Sequence, residues 1–198
     1  MLSVDIDGRL FVADRENNAI FLGVPQLRML SAASRKNQGA AGMFDVDLPL
    51  SGAPGLECRS GGGGGNHTVV FTFNNNVTSG SASVTGGTGT VGGTPTFSGK
   101  TMTVELSNVA DAQQISVTVS GVTDTFAQVL PDKTVAMKIL LGDVNSSGMV
   151  NATDVVQVKS RIGQPVDTTN FRSDVNANGS INAGDIVITK TNLGTGLP

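Results

Sequence analysis

The sequence predicts a mainly β chain, a β-sandwich followed by a small α-helical module, and three observations carry that expectation. Between residues 42 and 141, apolar and polar side chains alternate in short runs. Gly, Ser, Asn and Pro separate these runs at roughly ten-residue intervals, the rhythm of strands and tight turns in a sandwich. From Gly142 the alternation gives way to a segment that repeats itself, Asp143 aligning with Asp174. A length of 198 residues allows one or two small domains. With 38% hydrophobic but only 4% aromatic residues, and no Trp or Tyr, the interior must be built from Val, Ile, Leu and Phe.

The first element is a hairpin within residues 1–24. Gly8–Asp14 and Ala19–Leu22 flank an Asn17-Asn18 turn. The phrase GRLFVADRENNAIFLG resembles the core of an NHL-type β-propeller repeat. A propeller blade cannot bury its faces alone, so the resemblance implies that the chain starts inside the last blade of a larger protein. The opening Met1–Asp7 has neither a basic start nor a continuous apolar stretch, so it is not expected to be a secretory signal. Either the protein stays inside the cell or this is the back end of something longer. Residues 25–41 carry Gly, Pro, Ser, Ala and the Arg35-Lys36 pair without periodicity, which predicts a linker.

Half-buried strands are expected around Phe44, Val46 and Leu48; Val69, Phe71 and Phe73; Met102, Val104 and Leu106; Ile115, Val117 and Val119; and Val135, Met137, Ile139 and Leu141. The segment from Val117 to Ile139 resembles the closing strands of bacterial Ig-like extracellular domains, which implies an Ig-like β-sandwich over 42–141. The Gly61–Gly65 run reads as a flexible surface loop. A phosphate-cradling loop would need a strand before it, a helix after it and a Lys-Ser/Thr ending, all missing here. The single Cys58 permits no internal disulfide and reads as a small buried hydrophobe.

The strongest pattern is the duplication of GDVNSSGMVNATDVVQVKSRIG in SDVNANGSINAGDIVITKTNLG. Ten identities fall in about twenty-two aligned positions, among them Asp143/Asp174, Gly148/Gly179, Asn151/Asn182, Asp154/Asp185 and Lys159/Lys190. A twelve-residue calcium loop places oxygen ligands at positions 1, 3, 5, 7 and 9, a carboxylate at 12, and glycine at 6 where the chain turns sharply. The first copy offers Asp143, Asn145, Ser147, the Met149 carbonyl, Asn151 and Asp154, with Gly148 at the turn. The second offers Asp174, Asn176, Asn178, the Ser180 carbonyl, Asn182 and Asp185, with Gly179 at the turn. Only hard oxygens are available, so two Ca²⁺ ions are expected, not zinc or copper. Two carboxylates per loop predict roughly micromolar to sub-millimolar affinity. A short helix follows each loop, with Val155, Val158 and Ile162 on one face and Ile186, Thr189 and Leu193 at the matching positions. Gly163 with Pro165, and Gly194, are the expected stops.

No helix precedes either loop, and this loop-then-helix order resembles the F-hand of type I dockerins over residues 142–196. The resemblance implies a calcium-dependent module, 142–198, that binds a cohesin-type protein domain. It further implies an extracellular or cell-surface protein, often engaged in polysaccharide breakdown. By the same resemblance the partner is recognised by Ala152, Thr153 and Lys159 in the first copy and by Ala183, Gly184 and Lys190 in the second. Many members of the family carry a hydroxyl pair where this chain has Ala152-Thr153 and Ala183-Gly184.

Other classes find less support. The net charge is −3 and no Lys/Arg cluster could neutralise a phosphate backbone, so nucleic acid is not an expected partner. No apolar run approaches the roughly 18 residues of a spanning helix. His67, the only His, adjoins the glycine run, and no GxSxG elbow occurs. Asp45 and Asp47 share the solvent face of a strand and are no glycosidase pair. No catalytic set is identified. A carbohydrate-binding sandwich on a polysaccharide surface, or a small secreted glycosidase or esterase, are the alternatives. The first lacks the aromatic platforms on which sugar rings stack.

Overall fold

The computed structural model describes residues 1–5 and 9–198. Ile6, Asp7 and Gly8 lie outside the described residues, so the start of the hairpin expected from Gly8 is not among them. The chain is mainly β with several sheets and a short helical C-terminal region.

β1 (Leu2–Val4), β2 (Leu10–Asp14) and β3 (Ala19–Gly23) form an antiparallel three-stranded sheet in that order. Asp14 organises the β2–β3 turn. Its carboxylate accepts from the Glu16 and Asn17 amides and from the Asn17 side chain, which holds it below the ordinary carboxylate range.

β4 (Met29–Asn37) corrects the linker reading of 25–41. It pairs with β5 (Met43–Asp47) on one side and β7 (His67–Phe73) on the other. Its inward positions are Met29, then Ala32 and Ser34, while Leu30 is exposed at the register shift between Met29 and Ser31, which breaks the alternation. Small inward residues leave no apolar alternation to detect. The same sheet continues through β11 (Thr101–Ser107) to β10 (Thr96–Ser98), and β9 (Thr90–Val91) also pairs with β11.

The other sheet runs β6 (Gly55–Glu57), β13 (Lys133–Ile139), β12 (Gln113–Asp124), β8 (Val77–Gly86), with β6 parallel to β13. The two sheets share one core. Phe71, Phe73, Met102, Val104 and Leu106 from one meet Ile115, Val117, Val119, Val135 and Met137 from the other. β8 carries mostly Ser, Thr and Gly, and only its Ala82 and Val84 reach this core along with Val77. That composition is why no strand was expected there.

The Gly61–Gly65 run is a packed turn, not a flexible loop. The Asn66 amide closes it onto the Gly61 carbonyl at 2.7 Å, and the Asn108 amide bonds the Gly64 carbonyl at 2.8 Å. A Cβ on Gly65 would stand 2.5 Å from the Val109 carbonyl oxygen, so glycine is what allows the close approach.

α1 (Ala152–Ser160) and α2 (Ala183–Thr191) complete the chain. Both end before Ile162 and Leu193, which are exposed; Val155, Val158 and Thr189 are buried as expected. No helix among the described residues is long and apolar enough to cross a membrane.

Candidate metal centre

Three residues, Leu140–Gly142, separate β13 from the first loop. Asp143 anchors that loop: its Oδ1 accepts from the Ser147 amide at 2.9 Å and its Oδ2 from the Gly148 amide at 2.7 Å. Asn145 Oδ1 accepts from Ser147 at 2.9 Å, and the Ser147 hydroxyl donates to the Met149 carbonyl at 3.0 Å. Asp154 closes the far end, taking the Asn145 amide at 3.2 Å and the Asn151 amide at 3.0 Å. The second loop repeats this. Asp174 accepts from Asn178 (3.1 Å) and Gly179 (2.8 Å), Asn176 Oδ1 from Asn178 (3.0 Å), and Asp185 from Asn176 (3.1 Å) and Asn182 (2.9 Å). Gly148 and Gly179 have φ of 86° and 89°, the left-handed turn that the sixth position demands.

Asn151 and Asn182 have a second role besides that of loop oxygens. Each is the N-cap of the helix that follows, with Oδ1 accepting from the Thr153 or Gly184 amide, and Asp154 and Asp185 return the bond to complete a capping box. Their side-chain amides donate to the Met149 and Ser180 carbonyls. The end of each loop is thus also the start of each helix.

The donor set suits a hard divalent cation. Asp143, Asp154, Asp174 and Asp185 are all fully buried, and among the described residues none takes part in an ion pair. Each carboxylate oxygen in these loops has capacity beyond the backbone amides it accepts, as do the amide and carbonyl oxygens beside it. Burial pushes the Asp143 and Asp174 carboxyls above their ordinary value; glycine amides oppose the shift, while Asp154 and Asp185 add to it by like-charge repulsion. Two carboxylates facing each other without a cation are the arrangement a calcium ion relieves. Among the described residues no three His, Cys, Asp or Glu side chains converge, so the remaining ligands would be neutral oxygens.

The helical module does not close its own core. Leu56, Cys58 and Leu140 of the β region pack with Val144, Val150, Val158, Val175 and Ile181 in one cluster. The Ser60 amide bonds the Val175 carbonyl at 2.7 Å, and the Gly142 amide bonds the Cys58 carbonyl at 3.0 Å. Phe171 stacks on Phe44 with ring centres 5.4 Å apart and 7° between planes, and the Arg59 guanidinium lies over the Phe171 ring, 5.0 Å from its centre. Cys58 is buried as expected; burial raises its thiol to about 12, so it is inert.

His67 is 3% exposed on β7, and its Nδ1 has no partner. Burial, then the Lys36 ammonium, lower it to about 4, while Glu57 opposes and Arg59 adds to the shift. The folded value lies below the 6.5 of the free side chain, so unfolding takes up a proton in that window. Stability contributed by neutral His67 is present above pH 6.5 and lost as pH falls toward 4, about 3 kcal/mol in all. Urea unfolding at pH 7 and pH 4.5 checks this: His67→Leu is expected to flatten the difference, and an unaltered difference would remove His67 as its cause.

Of the residues expected to meet a partner, Ala152, Thr153, Lys159, Ala183 and Lys190 are exposed and Gly184 is half-buried. The spacing of i, i+3 and i+4 neighbours puts Val156 among the first set and Val187 among the second. These valines are 63% and 61% exposed. Their identity across the repeat is visible in the sequence, Val156 aligning with Val187.

In comparison with known families, residues 141–194 match the family model described as "Dockerin type I domain". The match supports a protein–protein docking module of a calcium-binding type in that segment. No curated protein and no solved structure matches the chain.

Proposed function

We propose that residues 142–198 are a calcium-stabilised docking module for a cohesin-type protein domain. The β region over 42–141, together with the β4 strand (Met29–Asn37) that pairs into its sheet, then acts as a non-catalytic, Ig-like sandwich spacer, and residues 1–24 are a propeller-repeat remnant. The observation that carries this reading is the duplicated loop, with two buried, unpaired carboxylates set among amide and carbonyl oxygens in each copy. One ion is held by Asp143, Asn145, Ser147, the Met149 carbonyl, Asn151 and Asp154. The second is held by Asp174, Asn176, Asn178, the Ser180 carbonyl, Asn182 and Asp185. Calcium supplies the positive charge that lets these carboxylates stay ionised while buried.

The loop residues bring the start of each helix to a fixed place, because Asn151 and Asn182 cap α1 and α2. The partner then meets Ala152, Thr153, Val156 and Lys159, or Ala183, Gly184, Val187 and Lys190. An exposed valine ringed by small residues and a lysine offers an apolar anchor with a charged rim. Such a module suits attachment of a secreted protein to an extracellular scaffold or cell surface, including one engaged in polysaccharide breakdown.

The test is capture of the full chain by an immobilised cohesin-type domain. Capture is expected in calcium and not in chelator, and the double variant Val156→Asp/Val187→Asp should weaken it at least tenfold, about 1.4 kcal/mol. Capture that ignores both calcium and the two valines would sink the proposal.

A further inference from the structure

The two loops are alike in sequence but not in surroundings. The first borders an open pocket shared with Asp47, Pro54 and Lys138 of the β region. The second is covered by the β4–β5 turn. There Gln38, fully buried, donates through Nε2 to the Phe171 carbonyl at 2.8 Å, the Asp174 carbonyl at 3.1 Å and the Asp174 Oδ2 at 2.9 Å. Backbones meet beside it. A Cβ on Gly39 would stand 2.6 Å from the Asn178 carbonyl oxygen, and one on Gly179 would stand 2.5 Å from the Gln38 carbonyl oxygen. Glycine at both positions is what lets the turn seat on the loop.

We propose that Gln38 is a positioning residue for the second calcium loop, which makes the two sites unequal, since only in the second loop is the first carboxylate held by a side chain of the β region. This rests on reading the loops as calcium sites. Gln38 holds the loop's first carboxylate in its rotamer and fixes the two carbonyls through which the chain enters the loop. Its own Oε1 is buried without a partner. A buried acceptor left unsatisfied is unfavourable, and against it stand the bonds that the two N–H groups of Nε2 share among three acceptors, one of them a carboxylate. Among the described residues none does this for Asp143, whose hydrogen bonds there come from within its own loop. By linkage, a cation at the second loop also tightens the seat of the β4–β5 turn.

Gln38→Met keeps the length and bulk of the side chain and removes the donor. Calcium is titrated into the full chain, wild type and variant, while the Gly148 and Gly179 amide resonances are followed, since each reports its own loop. Two unequal steps are expected in the wild type. In Gln38→Met the Gly179 step should weaken about tenfold, the scale of one charge-assisted hydrogen bond, with the Gly148 step unchanged. Gly39→Ala, which lifts the turn off the loop by steric contact, should shift the same step. Steps that are unchanged, or that weaken together, overturn the role of Gln38 while leaving the calcium sites standing. A wild type that binds no calcium overturns both readings.

Discussion

Removing calcium is expected to lower the thermal midpoint of the full chain by about 10–20 °C. An ion that binds the folded form alone contributes RT ln(1 + [L]/Kd), about 2.7 kcal/mol at a hundredfold excess over Kd, and two ions contribute roughly twice that. For a chain of this size 1 kcal/mol moves the midpoint by about 2–4 °C. Without calcium, the carboxylates of Asp143 and Asp154, and of Asp174 and Asp185, repel each other in buried surroundings. The loss should not stay within residues 142–198, because Leu56, Cys58 and Leu140 share a core with Val144, Val150 and Val175. A single shifted transition is therefore expected, followed by circular dichroism in calcium and in chelator. Identical melting curves would remove calcium from the account. A β transition that stays fixed while the helical signal melts early would show instead that the shared core contributes little.

Arg59→Ala is expected to destabilise the chain by about 4 kcal/mol, the cost of leaving one partner of a buried ion pair uncompensated. The Arg59 and Glu57 side chains are both fully buried and meet at 2.7 Å. Burial alone would raise Glu57, yet the hydrogen bonds and charge of Arg59, with the Ser34 hydroxyl, bring it down to about 2. Arg59 also donates to the Phe44 and Ser34 carbonyls. Its removal strands a carboxylate and frees two strand carbonyls at the place where Phe171 of the helical module stacks. Replacing the pair together, as Glu57→Gln/Arg59→Met, should destabilise by clearly less than the single Arg59→Ala change, since no charge is then buried alone. Urea unfolding of the wild type, Arg59→Ala and the double variant measures it; a double variant as unstable as Arg59→Ala would show that the pair acts through packing and not through charge. The sign with pH is definite: Glu57 lies below its unfolded value, so its contribution is present above pH 4.5 and is lost as pH falls from there toward 2.

How much of this was legible in the sequence follows from where the physical signal is local. The strands around Phe71, Val104, Val117 and Met137 announced themselves because each has one apolar face, and period two is a property of a single strand. Both loops were legible for a similar reason: a twelve-residue ligand spacing is contained in twelve residues, and its duplication removed coincidence. Their capping boxes were within reach too, as Asn151 and Asp154 stand three apart in the order a helix start uses.

The strand over Met29–Asn37 was not legible, because what makes it a strand is pairing with β5 and β7, and beyond Met29 its buried positions are only Ala32 and Ser34. Nor was the Glu57–Arg59 pair, whose residues look like surface charges until Leu56 and Cys58 carry them inside. Gln38 is the extreme case: it lies 136 residues from Asp174, and nothing around either residue hints at the other. The sequence by itself determined the local elements and the duplicated loop pattern, since those depend on residues that are neighbours along the chain. Only the tertiary structure decided that the helical module completes its core with the β region, and that one of two like loops is held from outside, since those depend on which distant backbones can approach at Gly39 and Gly179.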